Sequence, residues 1–200
     1  MDSEKSTFGN LIPNIILASK SAGRLQLLEE AGCLVTVNPT YIREEHTLSD
    51  TKEIVLLLAE RKFHAYLDQN TPPFIPLLVA DTLVDLDGEI VNKAKDEAAA
   101  RAMLKELSGK THTVYSAYIL YLPAQGTTLR GVEESRVTFK TLSDEAIESY
   151  VESREWRGAA GAYRVQGEGA SFIESIDGDL STVVGLPIEA ISAILEQLSF

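Results

Sequence analysis

The chain has 200 residues, 44% hydrophobic and 24% charged, enough to bury a full core as one domain or two closely joined lobes. Gly and Pro number 13 and 7, ordinary counts that argue against fibrous and disordered classes. The formal net charge of −12 sets the surface against a polynucleotide backbone, although a few local cations around a metal still suit a single nucleotide.

Met1 to Asn10 is mixed and polar and lacks the charged-then-apolar pattern of a secretion signal. The run Ile15-Ile16-Leu17 predicts a buried strand over residues 14–18. A helix over 19–31 follows: Ser19 or Ser21 can cap it, Leu25 and Leu28 share a face, and Gly32 ends it. Residues 33–38 resume as a strand. Cys33 is the only cysteine, which excludes an internal disulfide. It reads as a small buried apolar residue in a reducing compartment, hence the cytoplasm. Pro39 to Thr47 is a polar loop. Asp50, with Glu53 placed for a capping box, opens a helix in which Ile54, Leu57, Leu58 and Arg61 recur at helical spacing.

Pro72, Pro73 and Pro76 break the chain before a second apolar run, Leu77 to Ala80, that ends at Asp81. Asp87-Gly88 signals a hairpin between Leu83-Val84 and Ile90-Val91. Residues 96–107 read as a helix stopped by Ser108-Gly109, and 113–122 and 136–141 as extended. Ser143 caps a helix running to about Val151. Pro187 starts a last helix with Ile188, Ile191, Leu195 and Leu198 on one face. No run of about 18 apolar residues occurs, so no membrane-spanning segment is predicted. The predicted fold class is α/β, a mixed twisted sheet with flanking helices, over a single domain of residues 1–200.

Four features carry chemistry, each with a plainer alternative. The strand–Ser19-Lys20-Ser21–helix junction offers backbone N–H groups, two hydroxyls and Arg24 to a phosphate; alone it reads better as an ordinary N-cap. Asp81-Thr82 after a buried strand suits a metal or a water; a strand-ending turn cap is an equal reading. Glu44, Lys62 and Lys93 are the ion types that triphosphate cleavage needs, yet spacing alone leaves them as solvated surface. The segment from Gly158 to Gly169 holds four glycines beside Tyr163 and Gln166, and its alanines favour a ligand-facing loop over an irregular surface one. Tyr150 and Trp156 read as core or interface anchors. Gly109-Lys110-Thr111 imitates a P-loop but follows a helix, and His46, His64 and His112 have no zinc spacing with Cys33.

In order and spacing these segments resemble the Maf family of nucleoside triphosphate pyrophosphatases, also described as septum-formation-inhibitor-like. The resemblance runs from Leu17-Ala18-Ser19-Lys20-Ser21 with Arg24, through Pro39 to Glu44, Leu58-Ala59 with Lys62, Ala80-Asp81-Thr82 and Lys93. It continues through Leu107-Ser108-Gly109 with His112 and Gly161-Ala162-Tyr163 with Gln166, to Val183-Val184-Gly185-Leu186-Pro187. It implies two lobes around a cleft, akin to inosine triphosphate pyrophosphatases, a homodimer, and hydrolysis of a nucleoside triphosphate with Mg²⁺ or Mn²⁺. On the matching positions it implies that Ser19, Ser21 and Arg24 grip the triphosphate and that Lys62 and Lys93 neutralise it. It further implies that Glu44 and Asp81 hold the metal and that Asp81 also activates the water. Thr82 and Gln166 resemble the branch acting on dTTP, UTP and modified pyrimidine nucleotides; the branch acting on 7-methyl-GTP has Gln and Glu there.

Two positions depart from the pattern. Gly23 stands where the family has the first of two arginines, and Ala159 where it has lysine; Lys20 and Arg157 are candidate substitutes. These departures motivate a second reading, a nucleotide-binding, division-related regulator whose catalysis is weakened.

Overall fold

The computed structural model describes residues 7–198, so the reading of the first six residues lies outside the described residues. A short helix α1 (Thr7–Leu11), which has no periodicity to announce it, leads into β1 (Asn14–Leu17). Ser21 caps α2 (Ala22–Glu30), its hydroxyl accepting from Arg24 N at 3.3 Å. The helix starts at Ala22 and not at Ser19 because the Ser19 hydroxyl caps the preceding turn, accepting from Ser21 N at 3.2 Å. β2 (Leu34–Val37) is slightly shorter than predicted. Asp50 caps α3 (Thr51–Gln69) by accepting from Glu53 N at 2.9 Å.

β3 (Leu77–Leu86) does not end at Asp81, as its charge suggests. It pairs antiparallel with β5 (Thr111–Leu122) from Leu77 to Asp85, and that ladder carries it through Asp81 and Thr82. The hairpin turn falls at Asp87 and Gly88, both at positive φ (56° and 87°) as a type I′ turn requires, and leads into β4 (Glu89–Val91). α4 (Glu97–Leu107) and α5 (Asp144–Ser153) start at the Asp96 and Ser143 caps. β6 (Thr127–Phe139) begins well before the predicted residue 136 and ends before 141. Its first half is polar and half-exposed but pairs throughout with β5. After a 3₁₀ turn (Glu168–Phe172) come β7 (Ile173–Asp177), α6 (Leu180–Val184) and α7 (Ile188–Gln197). β7 (IESID) and α6 (LSTVV) are five residues each, too short for their side-chain pattern to announce them in the sequence.

The sheet order is β2-β1-β3-β5-β6-β7, with β4 also on β3. β1 runs parallel to β2 and β3; the other pairs are antiparallel. The mixed sheet of the α/β class is therefore present. Side chains of β3 alternate between faces. Leu78 and Ala80 pack with Phe8, Leu28 and Ile191, from α1, α2 and α7; on the same face further along, Val84 and Leu86 pack with Leu104 and Tyr150, from α4 and α5. Leu77 and Val79 face the other way, onto Val55, Ala59 and Phe63 of α3. Trp156 joins Tyr150 in the core, and Cys33 is buried beside α1, where burial pushes its thiol up to about 11. No helix among the described residues is long and apolar enough to cross a membrane.

Candidate active site

β1 pairs with β3 only at Leu77 and Leu78, and β4 pairs with it only from Val84. Between them β3 has β5 on one side and, among the described residues, no strand partner on the other. This gap in the sheet edge floors a cleft of about 500 Å³. α2 and α3 pack on opposite faces of the sheet on either side of β1, so the end of β1 is a topological switch point, where open α/β sheets take ligands. Every side chain singled out for the site lines this cleft: Ser19, Ser21, Arg24, Glu44, Lys62, Asp81, Thr82, Lys93 and Gln166.

On the α2 face, Arg24 is buried and its guanidinium is largely engaged by the protein. Nε donates to Gly185 O at 2.7 Å, Nη1 to Ser19 Oγ at 2.9 Å and Nη2 to Thr82 Oγ1 at 2.9 Å. Of five N–H groups, two are left over. Burial lowers the basicity of this guanidinium, and the charge of Asp81 raises it back in part. Ser116, which the sequence did not single out, fixes the direction of this network. Its hydroxyl donates to Thr182 O at 2.8 Å, so in the 2.8 Å contact between Ser116 and Thr82 the proton comes from Thr82. Thr82 has thereby committed its donor and keeps one lone pair.

Asp81 points to the opposite face, where Lys62 Nζ of α3 lies 2.7 Å from Oδ1. Asp81 is only 4% exposed, and Oδ2 has no hydrogen-bond partner among the described residues. The loop after β2 carries Glu44, exposed at the cleft. It is held by Arg61 of α3, whose Nη1 donates to Glu45 O at 2.6 Å and Arg43 O at 3.5 Å, on either side of Glu44. Tyr41 of this loop lies under Lys20, with Nζ 4.7 Å from the ring centroid.

The glycine-rich segment closes the far side. Lys93 bridges Ala160, and Gly161 N donates to Val91 O and Asn92 O at 3.2 and 3.3 Å. Gly161 and Ala162 turn the chain back at positive φ (66° and 58°), packed on an aromatic cluster of Tyr163, His112 and Phe139. His112 Nε2 lies 2.9 Å from the Tyr163 hydroxyl, and burial pulls this imidazole down to about 4. Arg164 clasps the segment: Nε donates to Glu155 O at 2.8 Å and Nη2 to Arg157 O at 2.7 Å. Arg157 is exposed and lines the cleft, its guanidinium 5.5 Å from the Trp156 ring. Among the described residues, Lys20, Lys93 and Arg157 all line the cleft without a carboxylate partner. The two departures also find their places. Gly23 packs against Gln166 and Val184, and Ala159 is buried.

Fold and cleft together define an α/β protein with a site charged for a compact polyanion. The family model described as Maf-like protein matches residues 14–198, and the chain belongs to the Maf family. A dTTP/UTP pyrophosphatase of Pyrococcus abyssi is 40% identical over 182 residues, covering 91% of this chain and 95% of that protein. Another of that description, from Thermus thermophilus, is 39% identical over 183 residues, covering 92% and 94%. A solved nucleoside-triphosphatase / dITP/XTP pyrophosphatase from Mycobacterium abscessus covers 92% of this chain and 96% of its own at 17% identity, with a TM-score of 0.39.

Proposed function

We propose that this chain is a nucleoside triphosphate pyrophosphatase that cleaves dTTP and UTP, or modified pyrimidine nucleotides, between the α and β phosphates. One observation carries the reading. In a chain of net charge −12, a single cleft gathers three cations that have no acidic partner among the described residues, beside a buried carboxylate oxygen that has no donor among them. Relatives of matching length described as dTTP/UTP pyrophosphatases support the substrate class.

Phosphoryl chemistry asks for positioning and charge neutralisation more than for covalent work. Ser19, Ser21 and the first turn of α2 meet the phosphate oxygens, joined by the two N–H groups of Arg24 that the protein leaves over. Lys93, with Lys20 and Arg157, offsets the charge that grows on the departing pyrophosphate. Lys62 holds Asp81 through Oδ1, leaving Oδ2 to take the proton of the attacking water. The water oxygen bonds to the α phosphorus, and the electron pair of the bond to the bridging oxygen leaves with pyrophosphate.

A divalent cation, Mg²⁺ or Mn²⁺, fits Asp81 Oδ2 and Glu44, an orphaned buried acceptor and an exposed carboxylate on one cleft. No group of three or more such ligands occurs among the described residues, so phosphate oxygens and water would complete the shell, as is usual for Mg²⁺. When bound, such a cation supplies charge neutralisation at the triphosphate oxygens.

Thr82 supports a pyrimidine with N3–H. With its proton spent on Ser116, its hydroxyl can only accept, which suits uracil and thymine and rejects cytosine, whose N3 is itself an acceptor. Gln166, exposed and lining the same cleft, carries amide N–H groups that suit the base carbonyls. The same proposal takes residues 1–200 as one domain of two lobes, active as a homodimer in the cytoplasm, where the buried thiol of Cys33 is at home.

Pyrophosphate release from a panel of nucleoside triphosphates, with Mg²⁺ or Mn²⁺ and with metal removed, tests the reading. Metal-dependent release greatest with dTTP and UTP and weak with dCTP is expected. No release from folded protein that still binds a nucleotide would favour the regulator that Gly23 and Ala159 motivate.

A further inference from the structure

We propose that Thr40 is a phosphate contact of this cleft, its hydroxyl donating to an oxygen of the bound triphosphate. The inference rests on the reading of the cleft as a triphosphate site. Thr40 is 8% exposed and forms part of the cleft wall, yet its Oγ1 is buried without a hydrogen-bond partner among the described residues. A buried hydroxyl left unpaired is an uncompensated penalty that a protein seldom keeps unless a ligand relieves it. Asp81 Oδ2 is the other such oxygen among the described residues, and it lines the same cleft.

A loose loop does not account for the orphan. Asn38 Nδ2, two residues upstream, donates to Tyr66 Oη at 3.3 Å and Asn70 Oδ1 at 3.1 Å, and Arg61 holds the carbonyls around Glu44 downstream. Thr40 thus lies between two tethered stretches of chain, and rotation about χ1 can redirect its hydroxyl without moving them. The chemistry around it is that of phosphate, not of a base. Its neighbour Tyr41 lies under Lys20, Glu44 shares its loop, and Ser19 and Ser21 line the same cleft.

Thr40→Val keeps the shape and removes the hydroxyl; Thr40→Ser keeps the hydroxyl. Each, with the wild type, is titrated in Mg²⁺ with the non-hydrolysable α,β-imido analogue of dTTP and with pyrophosphate, and melted without ligand. Thr40→Val is expected to bind the analogue about tenfold more weakly while melting at or above the wild type, since the unpaired hydroxyl is gone. Thr40→Ser is expected to match the wild type in both. Pyrophosphate weakened in parallel puts the contact on the β or γ phosphate, and pyrophosphate unchanged beside a weakened analogue puts it on the α phosphate. Unchanged analogue affinity in Thr40→Val overturns the proposal, as does a melting point below wild type, which would mark a structural role. A wild type that binds neither ligand overturns the cleft reading itself, a result distinct from failure of Thr40 alone.

Discussion

Lys62 and Asp81 form a buried ion pair that uses only half of the carboxylate. Nζ lies 2.7 Å from Oδ1, the side chains are 13% and 6% exposed, and Oδ2 has no partner among the described residues. Asp81→Asn keeps the shape and removes the proton acceptor, so turnover should fall by about 10²-fold or more, with the circular dichroism spectrum unchanged. It also strands the Lys62 charge, and breaking a buried pair costs about 3–5 kcal/mol. Adding Lys62→Met should therefore recover melting temperature but not turnover. Wild-type turnover in Asp81→Asn would sink the role given to this carboxylate.

Arg157, two residues before Ala159 and lining the same cleft, is the proposed stand-in for the lysine missing there. Its carbonyl is fixed by Arg164, while its side chain stays exposed at the cleft. A charge-assisted contact is worth about 1.5–3 kcal/mol, so Arg157→Ala should raise KM for dTTP at least about tenfold. Stability should move by less than ~0.5 kcal/mol, as expected of an exposed side chain. Steady-state kinetics and thermal melting check both. An unchanged KM would mean that the missing cation has no substitute at this position.

Much of this was legible in the sequence because local chemistry decides it. The hydroxyls and carboxylates of Ser21, Asp50, Asp96 and Ser143 cap the predicted helices, and Asp87-Gly88 makes the predicted turn. What escaped depends on partners distant in the chain. β3 runs on through Asp81 because β5 supplies its ladder, and the first half of β6 is a strand because β5 pairs with it, not because it is apolar. The site residues were readable as a set only through the family resemblance. The unpaired oxygens of Thr40 and Asp81, the direction of the Thr82 proton and the clasp made by Arg164 exist only in three dimensions.

His112 gives the fold a pH limit. Burial lowers its pKa from 6.5 to about 4, so the folded state resists the proton that the unfolded chain accepts. Its contribution is fully present above pH 6.5, is lost as pH falls from about 6.5 to about 4, and changes no further below that. Between pH 7 and pH 5 the loss should be roughly 2 kcal/mol. Urea unfolding at the two pH values measures it, and His112→Gln, which cannot titrate there, should lose about that much less. Equal losses in both proteins would show that other groups govern acid stability.

Gly23 is the departure whose consequence the packing makes explicit. A Cβ there would sit 2.8 Å from Gln166 Oε1 and 3.0 Å from Val184 Cγ1. The first is the end of a flexible side chain and can yield; the second needs only a small shift. Gly23 lies in the first turn of α2 and not at positive φ, so Gly23→Ala should cost no stability and gains a little from helix propensity. The cost should fall on recognition, because the displaced side chain is the proposed base reader. KM for dTTP should rise severalfold with kcat nearly unchanged, and the preference for dTTP over dCTP should shrink. Parallel kinetics on the two substrates decide the matter: if KM and preference both stay at wild type, Gln166 moves aside without consequence and does not read the base.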